Sequence, residues 1–205
     1  MGDEPRPSAP HLVGGLEETA ARLRGLPPSC GPVRLVAVDG HAGSGKTTFA
    51  GRLARELGGA PVVHLDDLAT HDELFDWVDR LVTQVVEPLS RGERAVHGVY
   101  DWVARRFAGQ LSVPVADVVL VEGVGAGRRA LRPHLSQVLW LDVPAEVSHA
   151  RGELRDGPDL HAFWRGWERA EAGHFAADPT RDHADLLVRA VPDGYEVLER
   201  RLSPR

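Results

Sequence analysis

Gly40-His41-Ala42-Gly43-Ser44-Gly45-Lys46-Thr47 fits G-x-x-x-x-G-K-[ST] at every fixed position. Lys46 is the single lysine among 24 basic Lys and Arg side chains. An ammonium is a compact charge on a flexible stem, whereas guanidinium is a planar fork, so a lone lysine in a glycine loop suits a point contact with an anion. Glycines let backbone N–H groups approach phosphate oxygens, and a helix starting at Lys46 adds its N-terminal dipole. Lys46 is expected on the β- and γ-phosphates of a nucleoside triphosphate, and the Thr47 hydroxyl on Mg²⁺. The expected ATP contacts run through Gly40, His41, Ala42, Gly43, Ser44, Gly45, Lys46, Thr47 and Thr48, with His41 pointing to solvent.

Acids at the ends of apolar runs supply the rest. Asp66 and Asp67 follow Val62-Val63-His64-Leu65, and an acid there faces the crevice where open α/β sheets bind ligands. Either could take a proton from an attacking hydroxyl, with Asp66 preferred and Asp67 equally suited to capping the next helix. Glu122, after Val118–Val121, is expected to hold Mg²⁺ with Thr47. Asp39 ends a strand and is expected to orient the loop or the metal's waters. Asp142 is read as a turn or cap residue. The histidines show no spacing that would build a zinc site.

These residues need a frame. Val33–Val38, Pro61–Leu65, Val118–Val121, Val138–Leu141 and Leu186–Val188 read as short buried strands. Between them, helices are expected near 46–57, 72–89, 144–154 and 160–177. Alternating strands and helices imply an α/β, three-layer P-loop NTPase fold, a five-stranded parallel sheet flanked by helices with a short helical lid. Residues 1–32 are expected as an N-terminal segment with a short amphipathic helix, the first ten frayed. Residues 33–192 form the expected main domain, with the lid at about 151–160, and 193–205 a C-terminal helix or tail.

Bulk properties bound the function. The chain has 205 residues, enough for one well-cored domain. Its net charge of −6 supplies no basic field for nucleic acid or acidic membranes. No apolar run approaches the ~18 residues of a bilayer span. MGDEPRPSAP lacks the marks of a signal peptide, and Cys30 is the sole cysteine, so the expected setting is cytoplasmic.

Four later segments follow the glycine loop in order: Val99-Tyr100-Asp101-Trp102, Ala116–Gly123 (ADVVLVEG), Arg151–Asp156 (RGELRD) and Pro179–Val188 (PTRDHADLLV). Together, over about residues 33–189, they resemble the uridine kinase branch of the P-loop nucleoside kinases. The resemblance implies ATP-dependent phosphoryl transfer to a small-molecule acceptor, a nucleoside first. Asp66 would be the base for its 5′-hydroxyl, and Asp72 would contact ribose. Tyr100 would lie against base or sugar. Arg151 and Arg155, on one helix face, would neutralise the transferring group, unless they serve surface ion pairs.

The chain also departs from that pattern. Asp66-Asp67-Leu68-Ala69 replaces an acid followed by an aromatic pair. Val103-Ala104-Arg105-Arg106 stands where the family places a histidine against the pyrimidine, so Arg106 implies a different base contact or an anion. The lid turn Asp156–Asp159 is short. Other acceptors, such as pantothenate or a nucleoside monophosphate, and a non-metabolic ATP switch stay open alongside the nucleoside. Trp164 and Trp167 share a helix side and could wall the acceptor pocket or sit in the core.

Overall fold

A computed structural model describes residues 11–200. The strand β2 (Arg34–Asp39) alternates its side chains between two covered faces. Leu35 and Ala37 enter one core cluster, Val36 and Val38 the other. A strand sealed on both sides needs apolar residues throughout, which is why this run is continuous. On one face lie the helices α1 (Leu16–Gly25) and α2 (Lys46–Glu56), through Leu23, Phe49 and Leu53. On the other lies a helical stretch built of α3 (Val78–Leu81), a π turn (Val82–Val86) and α4 (Glu87–Ser90), through Leu81, Val85 and Leu89.

The remaining strands are β1 (His11–Gly14), β3 (Val62–His64), β4 (Ala95–Asp101), β5 (Arg106–Val113), β6 (Val118–Glu122), β7 (Gln137–Leu141), β8 (Leu186–Val191) and β9 (Gly194–Glu199). The main sheet has the order β1-β9-β8-β7-β2-β6-β3. Its five strands from β8 to β3 are parallel, as expected. Two antiparallel strands, β9 and β1, extend it to seven. Within the segment 193–205, where a helix or tail was expected, Gly194–Glu199 form a strand, and residues 201–205 lie outside the described residues. Val197 turns inward and Tyr195 packs edge-on against Phe49, while Glu196 faces out. The expectation for the first ten residues lies outside the described residues.

The helix expected from residue 72 begins only at Val78. Thr70 starts a turn, its hydroxyl accepting the Glu73 N–H, and the π turn lies just before Pro88, which has no N–H to donate. A two-stranded hairpin, β4 with β5, stands apart from the main sheet and carries Tyr100 and Trp102 toward the cleft side. Helices α5 (Ala145–Asp156), α6 (His161–Ala177) and the single turn α7 (Thr180–His183) complete the order. Among the described residues, no helix is long and apolar enough to cross a membrane.

Candidate active site

The glycine loop joins β2 to α2 at the carboxyl edge of the parallel strands, where a doubly covered sheet leaves its crevice. Gly43 and Gly45 have φ of +80° and +94°, backbone conformations that side chains rarely adopt. Gly43 also packs against α5: a Cβ there would lie 2.0 Å from the Ser148 carbonyl oxygen. The Lys46 ammonium donates to the Gly40 and His41 carbonyls at 3.0 and 2.9 Å and is 8% exposed. Ser44 Oγ is buried and, among the described residues, has no hydrogen-bond partner. A buried hydroxyl free to bond a ligand and an ammonium spanning the loop at the start of α2 both fit a phosphate chain.

Asp39, fully buried at the end of β2, fixes this loop. Its Oδ1 accepts the Gly40 and Gly125 N–H groups at 2.7 and 2.8 Å, and its Oδ2 accepts Gly127 N–H at 2.9 Å. The carboxylate thereby ties the glycine loop to the chain after β6, an orienting part of the kind expected for Asp39.

The Thr47 hydroxyl donates to Glu122 Oε1 at 3.2 Å. Two hard oxygens at that spacing beside the loop fit Mg²⁺, which keeps several waters and takes one or two protein ligands. His64 Nδ1 is 2.5 Å from the same Glu122 oxygen, and this hydrogen bond, more than any other influence, holds the imidazole above its usual pKa. Sequence reading missed His64. Its signal was register: β3 and β6 pair in parallel with His64 opposite Glu122, a relation that appears only once the strands are neighbours.

Asp66 sits on a 3₁₀ turn (Leu65–Asp67) just after β3. Its side chain is open to the cleft yet surrounded by protein, and this partial desolvation, followed by the nearby Glu122 charge, raises its carboxyl above the usual range. Asp66 lines a cleft of about 580 Å³ together with Gly43, Gly45, Lys46, Thr47, Thr48 and Glu122. Asp67 does not line it; burial, more than any other influence, raises its carboxyl above the usual range. Of the two adjacent acids, Asp66, the one preferred from sequence, is the one that lines the cleft.

Arg151 and Arg155 both reach the cleft wall from α5, one turn apart. Arg155 is paired with Asp156 at 2.6 and 3.0 Å, and that pairing raises its pKa further. Arg155 thus forms the expected surface ion pair while lining the cleft, and Arg151 is exposed there. The far half of the cleft is aromatic: His71, Trp102, Phe163, Trp164 and Trp167. Trp164 and Trp167 are 3% and 8% exposed and pack with Val124, so they are core and wall at once. Trp102 Nε1 donates to the Asp66 carbonyl at 3.0 Å, bracing the turn that carries the acid.

Three expected acceptor contacts are not brought to this cleft. Asp72 is exposed on the segment before α3, and its neighbour His71 lines the wall instead. Tyr100 is buried behind that wall, its hydroxyl 3.0 Å from His71 Nδ1. Arg106 is exposed at the start of β5, opposite Asp101. Nor does His41 point to solvent: its ring turns inward to Glu171, with Nδ1 3.1 Å from Oε2.

No protein-family model matches the chain. The uridine kinases of Borrelia duttonii (strain Ly) and Borrelia recurrentis (strain A1) are each 21% identical to it over 185 residues, covering 79% of this chain and 87% of theirs. A Bacillus stearothermophilus protein described as a possible uridine kinase superposes with a TM-score of 0.62 at 20% identity, over 84% of this chain and 96% of that one. The chain has a uridine kinase-like P-loop fold. With the geometry above, these likenesses support a kinase of the P-loop kind, for which ATP and a small-molecule acceptor are the implied partners.

Proposed function

We propose that the protein transfers the terminal phosphoryl group of ATP to a hydroxyl of a flat, uncharged small molecule, a nucleoside being the best fit. One observation carries this reading: Asp66 shares a single cleft with Lys46, Thr47 and Glu122, and the same cleft continues into an aromatic half. Lys46 and the N–H groups of Gly43, Gly45, Lys46, Thr47 and Thr48, which line the cleft, hold the phosphates. Thr47 and Glu122 hold Mg²⁺, which neutralises charge on the phosphate oxygens. His64, hydrogen-bonded to Glu122 Oε1, would orient the carboxylate that holds the ion.

Asp66 takes the proton of the attacking hydroxyl. Its raised pKa matches this task, because a base closer in strength to its working pH transfers protons more efficiently. Arg151 and Arg155 supply positive charge at the transferring group. Stacking on Trp102, Phe163 and Trp164 orients the acceptor and keeps water from the phosphoryl group. A charged acceptor was suggested by Arg106, but its exposed place on the hairpin removes that support, and the aromatic wall favours a nucleobase. A protein that only switches with ATP would have no use for an aromatic wall in the same cleft as the phosphate loop.

The test is ADP release by purified protein across a panel of nucleosides, nucleoside monophosphates and pantothenate. Nucleoside-dependent release is expected, falling about 10²–10⁴-fold in Asp66→Asn while ATP binding stays near that of the wild type. Release unchanged in Asp66→Asn would remove Asp66 from the reaction. Release that depends on no acceptor would remove the transferase.

A further inference from the structure

His41, His149 and Glu171 come from the glycine loop, α5 and α6, and one donor atom of each lies within 4.8 Å of the others. His41 Nδ1 is 3.1 Å from Glu171 Oε2, and His149 Nε2 contacts the same oxygen. We propose that these three side chains form a zinc site, distinct from the magnesium–nucleotide cleft, that clips the glycine loop to α5 and α6.

The donor chemistry selects the ion. Two imidazoles and one carboxylate are a set that Zn²⁺ takes with a fourth position left to water, whereas Mg²⁺ prefers oxygen donors alone. Zinc bonds of about 2.0–2.1 Å in a tetrahedron put neighbouring ligand atoms roughly 3.4 Å apart. The His41 Nδ1–Glu171 Oε2 separation of 3.1 Å is close to that edge, and all three donor atoms lie within 4.8 Å of one another.

The surroundings match a metal's outer partners. Glu171 Oε1 accepts the Ala42 N–H at 2.7 Å, so Oε2 alone faces the two rings. The other ring nitrogen of His149, Nδ1, is 3.6 Å from Glu168 Oε1, within a small ring rotation of a hydrogen bond. A carboxylate behind a ligating imidazole fixes its tautomer and strengthens it as a ligand. The His41 ring is held edge-on between Trp140 and Phe175 at 5.3 and 5.2 Å. The Glu171 side chain is 1% exposed, so a divalent ion would neutralise a carboxylate otherwise shielded from water. The histidine side chains remain 21% and 16% exposed, which leaves a route for the ion and for a fourth, water ligand.

The consequence is mechanical. Ala42 lines the phosphate cleft and His149 precedes Arg151 by two residues on α5. An ion at this site would lock the anion-binding loop to the helix that carries both cleft arginines.

The full chain, stripped with a chelator and kept in excess Mg²⁺, is titrated with Zn²⁺ by calorimetry and with Co²⁺ by visible absorption. One Zn²⁺ per chain and the intense Co²⁺ absorption of a four-coordinate site are expected. Glu168→Gln should weaken Zn²⁺ binding by roughly 10-fold, and His41→Ala or His149→Ala by more than the roughly 100-fold limit typical of lost outer partners. Absence of saturable Zn²⁺ binding by the wild type would overturn the proposal and leave the three residues as a hydrogen-bonded clamp. So would binding that persists undiminished in both histidine variants, or a weak, six-coordinate Co²⁺ spectrum. The wild-type titration and the surface variant Glu168→Gln decide the matter even if a histidine variant folds poorly.

Discussion

Gly43 occupies a position that the loop pattern leaves variable, yet the structure leaves no room for a side chain there. In Gly43→Ala the new Cβ would stand 2.0 Å from the Ser148 carbonyl oxygen, where ordinary contact begins near 3.4 Å. The obstacle is backbone within α5, so relief requires loop and helix to part by about 1.4 Å. The left-handed φ of +80° adds its own penalty for an L side chain. Conformational strain of about 1–2 kcal/mol and overpacking of about 1–3 kcal/mol give a loss near 3 kcal/mol, or about 6–12 °C in Tm for a chain of this size. Because α5 carries Arg151 and Arg155, a retreat of about 1 Å or more should also slow nucleoside-dependent ADP release about 10²-fold. Thermal melting and the ADP assay read the two effects. Gly166→Ala is the control: it lies on α6 with open space around the added Cβ, and a melting point equal to or slightly above wild type is expected. A Gly43→Ala protein that melts and turns over like the wild type would refute the claim that loop and helix are locked at this contact.

Three further outcomes are expected. His174 stacks on Phe75, and burial with the nearby Arg128 charge lowers its pKa from 6.5 to about 4. The unfolded chain therefore binds this proton first as pH falls, so the stability it contributes is full above about pH 6.5 and lost toward pH 4. Urea unfolding should show the wild type losing about 2 kcal/mol between about pH 7 and pH 5 from this source, and His174→Phe sparing that loss. Asp39→Asn places an amide N–H₂ against backbone donors that the carboxylate now satisfies; a loss of about 1–3 kcal/mol in urea unfolding and weaker ATP binding by calorimetry are expected. Arg151→Ala should lower kcat roughly 10²–10³-fold with much less change in KM for ATP, and a raised KM with kcat unchanged would reassign it to ground-state binding.

The parts of this protein that local sequence determined are those in which neighbours in the chain are also partners in space. The glycine loop, its lysine and the helix behind it form one continuous unit, so spacing alone located it. The five parallel strands were legible because a strand covered on both faces must be apolar at every position. The hairpin β4–β5 was not, since β5 is exposed along nearly its whole length and carries no burial pattern. The antiparallel strand β9 was read as a helix or tail because six residues with few inward side chains resemble either until a neighbouring strand offers its edge.

Tertiary structure decided what register and crossing bring together. It set His64 opposite Glu122, and it turned Asp66 into the cleft and Asp67 away. It put His71 rather than Asp72 on the cleft wall, and gathered His41, His149 and Glu171 from segments separated by more than a hundred residues at the extremes. No local spacing encodes such a meeting, because it depends on how the glycine loop, α5 and α6 close over the end of one sheet.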